Sequence, residues 1–192
     1  MRLFVAVAVP EPARIALTTA VAPLRAANPD LRWTRPDSWH LTLAFLGSTS
    51  TGGRLRAQLA VGRAAATAAS VDVAIDGRLG RFGDRVLWAG VDDGDGGLVA
   101  LAGAVRAALA DGGFDVDDRA FHAHLTLARG RQGQRLPRDR RLPRTGVPVR
   151  WTATTVALMA SRSGPGGSRY RVVASWPLGT SPGSVTFERP FV

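Results

Sequence analysis

The chain has 192 residues, a hydrophobic fraction of 45% and no cysteine, so it can bury a substantial core but form neither disulfides nor thiolate metal sites. Its formal net charge is +10, lysine is absent, and the pI near 11.7 favours a polyanionic partner such as nucleic acid, although an arginine-biased composition explains part of this charge. No stretch is long enough to span a membrane, and too few apolar residues open the chain for a signal peptide, so we expect a cytoplasmic protein.

The pattern of apolar residues in the first half of the chain predicts both strands and helices. Pro10 and Pro12 open the first helix, and Pro23 is expected to kink its last turn. The second helix is rich in alanine. The expected elements are strands over 2–9, 31–34 and 40–45 and helices over 13–25 and 54–68.

The second half predicts more strands and a single helix. Residues 130–148 are rich in arginine, glycine and proline and predict a polar loop. Short connections favour antiparallel pairing, so we expect an α+β fold. The elements are strands over 71–75, 78–82, 86–91, 120–128, 150–159, 170–176 and about 185–187, and a helix over 98–109.

The sequence HLTLA occurs twice, at residues 40–44 and 124–128. In a strand, alternate side chains share a face and residues rise by about 3.3 Å, which places each His and Thr about 6–7 Å apart on one face. The leucines and Phe45 are then expected on the opposite, core-facing side. A duplicated motif of this kind indicates two similar lobes whose His/Thr faces meet across a cleft.

Two histidines on opposite sides of a cleft are suited to general acid–base catalysis, because an imidazole pKa of about 6.5 allows one neutral and one protonated ring near neutrality. Such a pair can activate water on one side of a phosphorus atom and protonate the leaving oxygen on the other. Threonine hydroxyls can donate to the non-bridging phosphate oxygens. The scheme needs no metal, and we predict no cofactor.

The third histidine, His122, is expected on the same face as His124. It is either a further site residue, half of a metal site with His124, or a solvent-facing or supporting residue. The last interpretation is favoured, because no carboxylate cluster accompanies the two histidines. The nearby Asp115, Asp117 and Asp118 are more typical of a turn.

Arginines are concentrated directly after the second motif. They either clamp an RNA backbone or belong to a solvated loop of an arginine-biased chain. Arg129 is the first candidate for a substrate contact because it adjoins the motif, and Arg35 is the second. Trp33, Phe45 and Phe82 either stack a base or belong to the core. The arginines of this segment are 129, 131, 135, 138, 140, 141 and 144.

With these motifs, the sequence resembles the 2H phosphoesterase superfamily, and specifically the RNA 2′,3′-cyclic phosphodiesterases, also called 2′-5′ RNA ligases. One departure is Ala123, where members commonly have proline; this change should loosen the entry to the strand slightly without touching the reacting groups. The resemblance covers nearly the whole chain and is carried by residues 2–6, 33–36, 40–47, 80–83, 121–129 and 170–178.

The resemblance implies one domain, 1–192, built of two pseudo-symmetric lobes, each an antiparallel sheet with outer helices, flanking a central cleft. It implies that His40 is the proton donor, that His124 is the proton acceptor, and that Thr42 and Thr126 hold the phosphate. The implied reaction converts an RNA 2′,3′-cyclic phosphate end, such as that of a tRNA fragment, to a 2′-phosphate, with 2′-5′ ligation as a related activity. We expect a monomer.

Two alternatives remain. One is a phosphodiesterase for 2′-5′ oligonucleotides or small cyclic nucleotides. The other is an RNA-end-binding module without turnover, which the duplicated histidines disfavour because arginine binds phosphate better than a titrating imidazole.

Overall fold

In the part of the chain that the structure describes, strands alternate with three long helices. The computed structural model describes residues 1–130, 136, 149–164, 167–179 and 186–187. The helices are α1 (Glu11–Ala27), α2 (Thr51–Thr67) and α3 (Gly97–Asp111), with a short 3-10 turn at Pro36–Ser38. The strands are β1 (Arg2–Ala8), β2 (Arg32–Trp33), β3 (His40–Ser48), β4 (Val71–Phe82), β5 (Val86–Asp92), β6 (His124–Arg129), β7 (Val149–Ala153), β8 (Thr155–Gly164), β9 (Gly167–Pro177) and β10 (Thr186–Phe187).

The described strands form two antiparallel sheets. Their orders are β10-β9-β8-β1-β3 and β2-β6-β5-β4-β7. The two strands that carry the repeated motif, β3 and β6, contact each other, so the sheets meet there. The units β1-α1-β3 and β5-α3-β6 have the same topology. In each unit a strand is followed by a helix, and the histidine strand then pairs antiparallel with that first strand. The predicted α+β fold with two similar halves is confirmed.

The helices cover the sheets with apolar faces. In α1, the predicted residues Leu17, Val21 and Leu24 are buried, and α3 buries Leu101 and Leu109. Full burial of such a side chain contributes about 1.5–3 kcal/mol. Helix α2 packs on α3, β8 and β9, α1 contacts β7, and α3 contacts β3 and β4. Among the described residues, no helix is long and apolar enough to cross a membrane.

Several element boundaries differ from the prediction. Helix α1 continues through Pro23 to residue 27, and α2 begins earlier than expected because the Ser50 hydroxyl accepts a hydrogen bond from the Gly53 N–H at 3.1 Å. The two expected strands over 71–82 are one strand, β4, whose pairing with β5 is irregular near Gly77, a residue with φ of 76°.

The second motif strand begins only at His124, and residues 121–123 precede it without strand pairing. The expected strand over 150–159 is divided at Thr154 into β7 and β8, which belong to different sheets. The predicted loop over 130–148 lies outside the described residues except for Gly130 and Leu136, and Leu136 is buried. The arginines of this predicted loop, from Arg131 to Arg144, therefore lie outside the described residues.

Candidate active site

The two repeated histidines have the same main-chain support. His40 Nδ1 lies 2.7 Å from the carbonyl oxygen of Ser38, and His124 Nδ1 lies 2.7 Å from that of His122. A carbonyl oxygen only accepts hydrogen bonds, so Nδ1 of each ring carries a proton and donates it. The nitrogen that changes its protonation state is therefore Nε2 in both histidines.

Aromatic side chains pack against both imidazoles. The ring centroid of His40 lies 4.9 Å from that of Phe4 and 4.9 Å from that of Tyr170. The ring of His124 is edge-on to Phe82 at 4.7 Å. Packing and a hydrogen bond at Nδ1 together restrict each imidazole to one orientation, as acid–base catalysis requires.

Burial, main-chain hydrogen bonds and neighbouring charges all affect the pKa values of the two histidines, which lie on contacting strands. Burial lowers the pKa of His40, its hydrogen bond with Ser38 opposes this, and the charges of His124 and Arg129 lower the pKa further. Burial also lowers the pKa of His124, its hydrogen bond with His122 opposes this, and the charges of His122 and Arg129 add to the lowering. Near neutral pH, both imidazoles of the free protein are therefore mainly neutral. An anion bound between them would raise both pKa values.

A β-bulge interrupts each histidine strand at the same place. Thr42 and Ala44 lie opposite consecutive residues of β1, which leaves Leu43 without a partner. The pairing of β6 with β5 leaves Leu127 without a partner in the same way. One extra residue shifts the alternation of side chains, so the residues beyond each bulge change face.

The bulges bring Phe45 and Arg129 to the faces that carry the histidines. The prediction that Phe45 faces the core is wrong: its side chain is 64% exposed, and its ring centroid lies 6.2 Å from that of Phe4, which packs on His40. Arg129 is exposed at the equivalent position of β6, and its charge acts on both histidines. The two residues follow their histidines by the same number of positions.

Thr42 and Thr126 precede the bulges and share the faces of the histidines. Both are half-buried, and Thr126 lies opposite Trp88 of β5 as Thr42 lies opposite Ala6 of β1. Within the described ranges, no protein group forms a hydrogen bond with either hydroxyl. Both hydroxyls are thus available to a ligand.

Arg35, the second arginine candidate, has a partner of its own. Its guanidinium lies 3.1 Å from the carboxylate of Asp37, and both side chains are largely exposed. The nearby Trp33 is half-buried and donates from Nε1 to the carbonyl of Asn28 at 2.9 Å, which fixes it as a supporting residue. The charge of Arg129 thus acts on both histidines, whereas the guanidinium of Arg35 is paired with Asp37.

His122 is exposed and belongs to the surroundings of His124. Its ring lies 6.3 Å from the ring of His124 in a stacked arrangement and 4.7 Å from Trp88. The indole of Trp88 lies over Gly80, where any Cβ would overlap it. Across the part of the chain that the structure describes, no three His, Cys, Asp or Glu side chains gather into a metal-binding group.

The residues that sequence reasoning missed are aromatic. Phe4, Tyr170 and Trp88 come from three different strands and contact the histidines only in the folded chain. The available signal was that Phe4 and Tyr170 fall within stretches that carried the family resemblance. Gly80 also lies within such a stretch. A glycine in a predicted strand marks the close approach of another group, and at Gly80 that group is the indole of Trp88.

Two antiparallel sheets joined at strands that each present a His/Thr pair are the architecture of the 2H phosphoesterases. The chain matches the 2′-5′ RNA ligase superfamily over residues 10–165 and belongs to that family. A curated relative from Geobacillus stearothermophilus, an RNA 2′,3′-cyclic phosphodiesterase, is 33% identical over 135 residues. That match covers 68% of this chain but only 42% of the relative, so the chain spans less than half of the relative's length.

Two further comparisons involve Escherichia coli. The RNA 2′,3′-cyclic phosphodiesterase of strain K12 is 31% identical over 142 residues, covering 74% of this chain and 77% of that protein. The crystal structure of E. coli LigT complexed with 3′-AMP aligns with a TM-score of 0.71 and 28% identity, covering 93% of this chain and 98% of LigT. The family match over residues 10–165 includes both histidine strands.

Proposed function

We propose that this protein hydrolyses RNA-terminal 2′,3′-cyclic phosphates to 2′-phosphates, with His40 as the general acid and His124 as the general base. The observation that carries this proposal is the matched pair of imidazoles, each held at Nδ1 by a carbonyl oxygen, on contacting strands of two sheets. Relatives named RNA 2′,3′-cyclic phosphodiesterase support the same reaction.

In the proposed reaction, neutral His124 takes a proton at Nε2 from a water molecule, whose oxygen attacks the phosphorus atom. Protonated His40 donates its Nε2 proton to the ribose O3′ as the P–O3′ bond breaks. The products are a terminal 2′-phosphate and a free 3′-hydroxyl. Each turnover moves one proton onto His124 and one off His40, so solvent restores both rings before the next cycle.

The remaining site residues bind the phosphate. Thr42 and Thr126 donate hydrogen bonds to its non-bridging oxygens, and Arg129 supplies a positive charge close to both histidines. The anionic substrate opposes the effects that lower both pKa values in the free protein, so that His40 is protonated in the complex. Arg35 is a second, outer contact, which requires exchange of Asp37 for a phosphate oxygen.

The substrate we propose is RNA with a 2′,3′-cyclic phosphate end, including tRNA fragments, with 2′-5′ ligation as the related reverse chemistry. Because a single chain supplies both histidines, the reaction needs no second copy, and we propose a monomer. We propose the cytoplasm as its location, where RNA ends of this kind are accessible.

The test is hydrolysis of 2′,3′-cyclic AMP and of a short RNA with a cyclic phosphate end, with chromatographic identification of the product. Replacing His40 or His124 by Ala should reduce the rate at least about 100-fold, within the usual acid–base contribution. The His122→Ala variant is the matched control and should lose much less. Formation of a 3′-phosphate, or variants of His40 and His124 within about tenfold of the parent, would contradict the proposal.

Two further substrates separate the alternatives. A 2′-5′-linked dinucleotide and a 3′,5′-cyclic nucleotide should both be cleaved much more slowly than the 2′,3′-cyclic substrate. Faster cleavage of either one would assign the protein to that substrate class. Tight binding of the RNA end without turnover would identify a binding module.

A further inference from the structure

One side chain that does not belong to the candidate active site binds the main chain of both histidine-bearing segments. Arg106 of α3 donates from Nε to the carbonyl oxygen of Leu43 at 3.1 Å and from Nη1 to that of Arg119 at 2.7 Å. Its guanidinium also lies over the ring of Phe121, 5.6 Å from the centroid. Leu43 belongs to β3, and residues 119–121 lead into β6.

Leu43 is the residue without a partner in the bulge of β3, and its carbonyl oxygen accepts the hydrogen bond from Arg106 Nε. In β6, the carbonyl of the equivalent residue, Leu127, accepts a hydrogen bond from the main-chain N–H of Thr34 at 2.8 Å. One bulge is thus held by a main-chain donor beside β2, and the other by the Arg106 side chain. The second donor belongs to a side chain, so it can be removed by a substitution that leaves the main chain unchanged.

We propose that Arg106 is a positioning residue that sets the placement of His40 relative to His124. Through Nε it fixes the bulge of β3 at Leu43, the residue directly after Thr42. Through Nη1 it fixes the segment that ends at His122, whose carbonyl holds His124 Nδ1. The planar guanidinium presents separate donors in a rigid fork, whereas a lysine ammonium cannot replace both at once.

The test independent of activity is NMR spectroscopy of the imidazole rings, since the chain has only three histidines. In Arg106→Gln, the ring signals of both His40 and His124 should move. The matched control is Arg56→Gln, which removes another helical arginine that lies over an aromatic ring, 5.9 Å from the centroid of Phe114. Its histidine signals should stay in place.

The kinetic test rests on the proposed function. Because small misplacements of reacting groups can lower rates by as much as about 100-fold, Arg106→Gln should lower kcat by about 10- to 100-fold. The KM for 2′,3′-cyclic AMP should stay within about twofold, since the groups that bind phosphate remain. Arg106→Lys, which keeps one donor and stays folded more readily, should lower kcat less, and Arg56→Gln should match the parent.

The outcomes separate the two proposals. If the parent protein hydrolyses no cyclic phosphate but Arg106→Gln moves both histidine signals, the proposed function fails and the positioning role stands. Unmoved histidine signals in folded Arg106→Gln would overturn the positioning role, even if the variant were less stable. If that variant does not fold, unmoved signals with an unchanged kcat in Arg106→Lys would overturn it equally.

Discussion

Replacement of Arg129 by Gln tests whether the bulge of β6 brings this residue to the catalytic face. Strict alternation from His124 would place Arg129 on the opposite face of the strand. The unpaired Leu127 reverses that placement, and the charge of Arg129 lowers the pKa of both His40 and His124. Glutamine keeps a hydrogen-bond donor, on a shorter side chain, but removes the charge.

The size of the effect follows from the loss of one charged donor to the phosphate. A hydrogen bond to a charged group contributes about 1.5–3 kcal/mol. Because about 1.4 kcal/mol corresponds to a factor of ten, kcat/KM should fall about 10- to 150-fold. The rate should have a bell-shaped pH profile, because one histidine must be neutral and the other protonated. Without the positive charge of Arg129, both imidazoles bind protons more readily, so both limbs of this profile should move to higher pH.

The assay is kcat/KM for 2′,3′-cyclic AMP measured from acidic to alkaline pH. The matched control is Arg150→Gln, which removes an exposed strand arginine from β7, at the other edge of the same sheet. The control should keep the rate and profile of the parent. An Arg129→Gln variant with an unshifted profile and an unreduced rate would refute the face assigned to this residue.

Three other predictions follow from the same site. Thr42→Val and Thr126→Val should each lower kcat/KM without changing the circular dichroism spectrum, and unchanged kinetics in the doubly substituted protein would assign the hydroxyls to the strands alone. Hydrolysis should continue in EDTA, and loss of activity that a divalent ion restores would contradict the metal-free scheme. As the pH falls below about 6.5, the unfolded chain protonates His40 and His124 before the folded protein does, because burial lowers the pKa of both, so urea unfolding should show full stability above that pH and a decrease below it. The decrease should be smaller in His40→Gln.

Much of the fold could be predicted because it depends on local patterns. The sequence pattern located the three long helices of the described residues, and the repeated HLTLA located the two strands at which the sheets meet. The duplicated motif also predicted the repeated course of the two halves. These features depend on residues within one strand or helix, where alternation and helical period are direct consequences of backbone geometry.

The position of Phe45 could not be predicted in the same way. A bulge depends on how a strand pairs with its neighbour, and the residues of β3 alone do not specify it. The aromatic rings around His40 come from β1 and β9, which are distant in sequence. The support for His124 comes from the carbonyl of His122, a residue expected within the strand but located just before it.

The two bulges also bear on which histidine is the acid, a question that a symmetric pair leaves open. They place different residues at equivalent positions: exposed Phe45 beside the His40 half and the cation Arg129 beside the His124 half. In the proposed reaction the leaving oxygen belongs to the nucleoside, so the acid must lie on the nucleoside side of the phosphorus atom. The His124 half also has an exposed ring, Phe82, edge-on to His124, so the residue that distinguishes the halves is the cation. A cation is suited to the side on which the attacking water loses its proton and becomes negatively charged. This asymmetry favours His40 as the acid and His124 as the base.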